Sequence, residues 1–327
     1  MAQLGPVEVS GSVTAVSIAG VGADARRALT AVSPRHPSLV LRQGAASAHD
    51  GTALIWQATE TPVAGAPTLF VLPGLGMPPG SWEALLAFLG DRVRFVTYRY
   101  RGLDDVAVAR ESGVDRHIED VAAVMRAAGV SACTLVGFGV GVKLALEAAV
   151  ALRDHVTALV LIAGAAAPSP RSRHLGRRAF WQQVTAAAFR VARRAWSARG
   201  LGRAARQLAA PRLVSSGAVA SDAVVPLIEA LASIEASALA VVHALFASHD
   251  ASALGATIRV PALLVAGAAD PFVPLAHVHQ LARQLERSEL AVVPRGGHFL
   301  GVEHPDFLNL RVERFLDNCA LLERARW

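Results

Sequence analysis

Four apolar runs separated by helical patterns constrain this chain more than any other feature. "PTLFVLPG", "RVRFVTYRYRG", "CTLVGFG" and "VTALVLIAGA" each read as a strand ending in a turn. A strand wet on one face alternates polar and apolar residues, and these are close to continuously apolar, so both of their faces are buried. Between them lie "SWEALLAFLGD", an amphipathic helix opened by a serine cap, "VDRHIEDVAAVMRAAGV", a helix ending near Gly129, and "GVKLALEAAVAL", a third helix. "DGTALIWQATE" ahead of them alternates like an edge strand. The fold class is α/β, with a mostly parallel sheet covered by helices on both faces.

The alternation stops after residue 168. Residues 169–257 give only helical patterns, as in "FWQQVTAAAFRVARRAW", where Phe180, Val184 and Val191 share one side with Trp181 beside them. The sheet pattern then resumes. "RVPALLVAGAADPFVP" is a strand and loop, "LAHVHQLARQLERS" a helix, "LAVVPRGGHF" a strand and loop, and "FLNLRVERFLDNCALLERA" a closing helix. The expected organisation is an N-terminal extension over 1–45, a core over 46–168 and 258–327, and an inserted helical cap over 169–257.

A length of 327 residues with 53% hydrophobic residues suits one large core with an insertion. The longest apolar runs are near 13 residues, short of the ~20 that a membrane span needs. No basic segment precedes an apolar run at the N-terminus, so no signal peptide is expected and the expected compartment is the cytoplasm. The net charge of +6 is local: Arg171 to Ser221 holds eleven arginines and no acid, which leaves the remainder negative. That distribution argues against general nucleic-acid binding. It marks the cap as a docking surface for an anionic partner such as an acidic carrier protein or a coenzyme A-type group, or as a solvated helix face.

Several motif matches fail on chemistry. Gly20, Gly22 and Ala25 fit G-x-G-x-x-A, but Arg42 stands where a dinucleotide site needs an acid. "GFGVGVK" has Val142 and Leu144 at positions where a P-loop needs glycine and a hydroxyl. His277 and His279 are two apart on a helix and do not face each other, so no metal site and no cofactor is expected. Cys133 and Cys319 read as free thiols. Arg99 and Arg101 read as structural, and Lys143 as a helix-face residue.

The chemistry concentrates at three strand ends. "LVGFGVG" is a strand, tight turn and helix with Gly139 at the turn, "GAADPFVP" carries Asp270, and "GGHF" carries His298. In this order the chain resembles the α/β-hydrolase superfamily from about residue 46 to 318, with the insertion in the position of that family's cap. The resemblance implies that Asp270 is the acid, His298 the catalytic histidine, and Gly139 the position of the nucleophilic serine. It implies an oxyanion hole from the backbone N–H groups of Leu75, in "LPGLG", and Val140. Phe138 and Trp181 are expected to line a pocket.

Gly139 has no side chain, so the nucleophile of acyl transfer is missing. Glycine relieves the backbone strain of the turn, roughly 1–3 kcal/mol for another residue. Cys133, six residues back and about 20 Å away if extended, cannot substitute. Two functions follow. One is an atypical enzyme that uses the His–Asp pair and the backbone N–H groups on a small apolar ester or carbonyl compound, by water-mediated hydrolysis or by proton transfer of the lyase, isomerase or cyclase kind. The other is a non-catalytic pseudo-hydrolase that binds a small ligand or an anionic protein.

Overall fold

The computed structural model describes residues 41–59, 65–168, 230 and 234–319. Eight strands form one sheet in the order β1-β2-β4-β3-β5-β6-β7-β8. They are β1 Leu41–Ser47, β2 Ala53–Thr59, β3 Thr68–Leu72, β4 Arg94–Tyr98, β5 Cys133–Phe138, β6 Val156–Ile162, β7 Ala262–Gly267 and β8 Ser288–Val293. β2 runs antiparallel to β1 and β4, and every other pairing is parallel. The helices are α1 Glu83–Leu89, α2 Val106–Glu111, α3 Val114–Ala127, α4 Gly141–Ala151, α5 Ala236–Ser248, α6 Leu275–Gln284, α7 Leu300–Glu303 and α8 Pro305–Asn318.

The central strands divide their side chains between two cores. Phe70 and Leu72 of β3 join the core covered by α3, α4 and α6, while Leu69 and Val71 join the one covered by α1 and α8. All five β3 residues are buried, which accounts for the absence of polar alternation in the sequence.

Two local expectations change. The sheet begins at Leu41, inside the stretch assigned to the extension. Gly44 pairs with Trp56 across the ladder, and a Cβ there would stand 2.2 Å from the indole. A strand that must be bare under a cross-strand tryptophan, and is otherwise rich in Ala, Ser and Gln, carries little apolar signal. Ser81 also does not cap α1: a short 3-10 turn, Pro79–Trp82, precedes the helix and Trp82 occupies the cap position without a side-chain bond. The rest of residues 1–45 and the arginine-rich stretch lie outside the described residues, as does Trp181. No described helix is long and apolar enough to cross a membrane.

Under the sheet's carboxyl edge, Arg101 donates to both oxygens of the fully buried Asp120 and, at 2.7 Å, to Asp50. Lys143, read as a helix-face residue, lies on a buried face of α4. Its Nζ donates to the carbonyls of Phe246 at 2.8 Å and His249 at 2.7 Å, tying α4 to the end of α5. Burial pushes its ammonium down to about 8. His117 packs against the rings of Tyr100 and Phe246, with centroids at 5.8 and 4.9 Å, and those two rings also touch each other. Neither of its nitrogens has a hydrogen-bond partner among the described residues.

Burial, with Arg101 nearby, pushes His117 down from 6.5 to about 3. The folded protein holds it neutral, and the unfolded chain takes up the proton first as pH falls. The stability it contributes is therefore complete above pH 6.5 and is lost toward pH 3. Urea denaturation should show wild type losing about 2 kcal/mol more than His117→Phe between pH ~7 and pH ~5.

Candidate active site

The acid and the histidine leave neighbouring parallel strands. Asp270 follows β7 and His298 follows β8, and His298 Nδ1 lies 2.8 Å from Asp270 Oδ2. Asp270 uses its two oxygens for different tasks. Oδ1 accepts the N–H groups of Phe272 at 2.7 Å and Val273 at 3.0 Å, which closes its own turn. Oδ2 takes the imidazole. One carboxylate thus both shapes its turn and meets the imidazole. The Asp270 side chain is 2% exposed and the imidazole 13%.

The two loops are locked by backbone. Ala269 N–H donates to the Gly296 carbonyl at 2.9 Å. Gly267, the last residue of β7, lies so close beneath the histidine loop that a Cβ would stand 2.2 Å from the carbonyl oxygens of both Gly296 and Gly297. Three aromatic rings enclose the imidazole, with centroids at 5.1 Å for Phe138, 5.0 Å for Phe272 and 5.2 Å for Phe299. His298 Nε2 makes no hydrogen bond among the described residues, so it is available to a ligand.

That nitrogen faces the elbow. Gly139 has φ +56°, and a Cβ built on it lies 3.4 Å from Nε2 and 3.7 Å from Cε1 of His298. No other described atom comes within 4 Å, chain neighbours aside. The turn is held by backbone alone: Gly139 N–H donates to Ile162 O at 2.9 Å, and its carbonyl accepts from Val142 at 3.3 Å. Val140 begins the N-terminal end of α4, and Gly141 packs directly on the Leu72 and Pro73 carbonyls at the root of the "LPGLG" loop. Tyr100 holds that loop from behind by donating to Pro73 O at 2.8 Å. Neither Leu75 N–H nor Val140 N–H bonds a described backbone carbonyl.

Phe138 lines a small apolar cleft with Met77, Trp82 and Phe299. A second cleft, partly open to solvent, is lined by Gly74, Met77, Tyr98, Tyr100 and Leu103. Cys133 is no substitute nucleophile: it is buried at the start of β5, and burial pushes its thiol up to about 12. His277 and His279 both lie on α6, and no group of three metal-ligating side chains occurs among the described residues.

This geometry agrees with the comparisons. The family model described as "Alpha/beta hydrolase family" matches residues 69–310. The chain belongs to that family. Among curated relatives, "Putative carbamate hydrolase RutD" of Klebsiella pneumoniae (strain 342) is 27% identical over 260 residues, covering 76% of this chain and 90% of that protein. "Polyketide synthase ThaQ" of Burkholderia thailandensis is 29% identical over 259 residues, 77% of this chain but 12% of that much larger protein. Among solved structures, the enol-lactonase of Burkholderia xenovorans LB400 superposes with a TM-score of 0.67 at 20% identity, covering 84% of this chain and 99% of that one. At that identity the likeness establishes the shared fold.

Sequence reasoning missed Phe272 and Phe299 around the imidazole. They follow Asp270 and His298 closely in the chain, and their packing emerges only when the two loops fold together.

Two substitutions test the geometry. Gly139→Ser meets no clash and carries only the strain of a positive φ, on the order of 1–3 kcal/mol. Intact-mass analysis after treatment with a fluorophosphonate should show one adduct in Gly139→Ser and none in the parent or in Gly139→Ser/His298→Ala. Gly267→Ala should destabilise the fold by about 1–3 kcal/mol in thermal denaturation, because its methyl group collides with rigid backbone.

Proposed function

We propose that this protein is an α/β-hydrolase-family enzyme that attacks a small ester- or carbamate-type carbonyl with water instead of a serine. His298 takes a proton from water as the water oxygen bonds to the carbonyl carbon. The carbonyl oxygen becomes an oxyanion that accepts from the N–H groups of Leu75 and Val140, each such donor contributing about 3–4 kcal/mol. The imidazolium then returns its proton to the leaving oxygen or nitrogen as the carbon–leaving-group bond breaks. Asp270 keeps the imidazole in the right tautomer and stabilises the cation that forms.

The observation carrying this reading is the orientation of one ring: Nδ1 is bound to Asp270 at 2.8 Å while Nε2 faces a side-chain-free turn. Glycine shifts the site of attack. A water that is not covalently attached stands off the Gly139 Cα at about 3.3 Å, farther than a serine oxygen. The carbonyl must sit correspondingly outward along the direction of Nε2. The carbamate hydrolase relatives and the ester-cleaving neighbours share the substrate feature that this mechanism needs, a carbonyl with a heteroatom leaving group.

The same glycine supports a second reading, a binding protein with no turnover. The two separate cleanly on a panel of small esters and carbamates. Catalysis by water predicts turnover that falls by ~10²-fold or more in His298→Ala and by a smaller factor in Asp270→Asn, with no acyl-enzyme in the parent by mass spectrometry. Ligand binding that is the same in the parent and in His298→Ala, with no turnover in either, would overturn the enzymatic reading.

A further inference from the structure

We propose that Glu303 is a positioning residue for His298, acting on the backbone on both sides of the imidazole; this rests on the general-base reading above. Glu303 ends α7, five residues after His298, and is 8% exposed. Its carboxylate reaches back over the histidine loop. Oε2 accepts the N–H of Gly297 and Oε1 the N–H of Phe299, each at 2.9 Å. The N–H groups of the residues on either side of His298 are therefore held by one carboxylate.

This clamp fixes what the bond to Asp270 leaves free. A single hydrogen bond at Nδ1 sets the direction of one ring nitrogen but lets the ring pivot about it if the backbone moves. Two charge-assisted bonds, one to the residue before His298 and one to the residue after it, restrict that movement. Ala269 and Gly267 hold the carbonyl side of Gly296 and Gly297 from below, and the Phe299 carbonyl accepts from Val302 and Glu303 N–H at 2.8 Å; the carboxylate adds bonds to the N–H groups of Gly297 and Phe299. A buried carboxylate is costly unless its hydrogen bonds are made, and here those bonds point at the residue that carries the proton.

Only a carboxylate can do this. A glutamine keeps one accepting oxygen but turns an N–H₂ toward the other peptide N–H, replacing an attraction with two opposed donors. Glu303→Gln should therefore loosen His298 while leaving the carbonyl-binding N–H groups of Leu75 and Val140 in place.

The test has two readouts. The first is kinetic: kcat of Glu303→Gln should fall at least tenfold, with KM changed less than threefold. The second is the downfield proton resonance of the His298 Nδ1–H bonded to Asp270, assigned by its loss in His298→Ala and read without substrate. In Glu303→Gln it should broaden or vanish through exchange with water, under conditions where circular dichroism shows a folded protein. If Glu303→Ala does not fold, Glu303→Gln and Glu303→Asp carry the experiment. Aspartate is one methylene short and should restore at most part of the signal. Wild-type kcat together with a sharp resonance in Glu303→Gln overturns the positioning role. Unchanged turnover in His298→Ala instead overturns the general-base reading, and the resonance then still reports on the clamp independently.

Discussion

The hydrogen bond from His298 Nδ1 to Asp270 Oδ2 joins residues 28 apart in the chain, and much of the surrounding architecture serves its two ends. On the acid side, the turn that follows Asp270 uses Oδ1 and leaves Oδ2 free for the imidazole. On the histidine side, β8 delivers the loop directly over Gly267, where the absence of a side chain lets two carbonyl oxygens approach. Parallel neighbouring strands make the pairing possible, since both loops then emerge at the same sheet edge. The aromatic rings of Phe138, Phe272 and Phe299 complete the enclosure and restrict the imidazole to one open nitrogen.

The elbow contributes through its backbone. Gly139 is held by Ile162 on one side and by the first turn of α4 on the other. Neither contact involves residue 139's side chain, so a serine and a glycine fit the same scaffold. Ala163, just past the end of β6, shows that the fold tolerates strain nearby: it has φ +48° without being glycine. A left-handed backbone at this edge is thus imposed by packing, and glycine at 139 removes one of its costs.

The fold was legible because it rests on burial. Strands such as "TLFVL" are wet on neither face, and that leaves a composition no edge strand has. Gly139, Asp270 and His298 were legible through their order along the chain. Features that failed to show depend on tertiary approach. Leu41–Ser47 is hidden because Gly44 must be bare beneath Trp56. Lys143 read only as a helix-face residue because its partners, the terminal carbonyls of α5, lie about a hundred residues away and carry no side-chain signature. Glu303 has the same cause in reverse: its partners are peptide N–H groups, which every residue has.

The hydrogen-bond count at Asp270 also bears on what the glycine means. A carboxylate that only shaped its turn would need Oδ1, already bonded twice, and could leave Oδ2 to water at the protein surface. Instead the side chain is almost wholly buried and its second oxygen is committed to an imidazole whose other nitrogen has no partner among the described residues. Burying that carboxylate carries a desolvation cost, which its bonds to the Phe272 and Val273 N–H groups and to the imidazole together offset. Backbone bonds from Ala268 and Ala269 join the two loops as well. The second ring nitrogen is directed at the one residue of the elbow that offers no group for it to activate. The proposed water mechanism uses this combination, with a proton acceptor whose partner arrives with the ligand or the solvent.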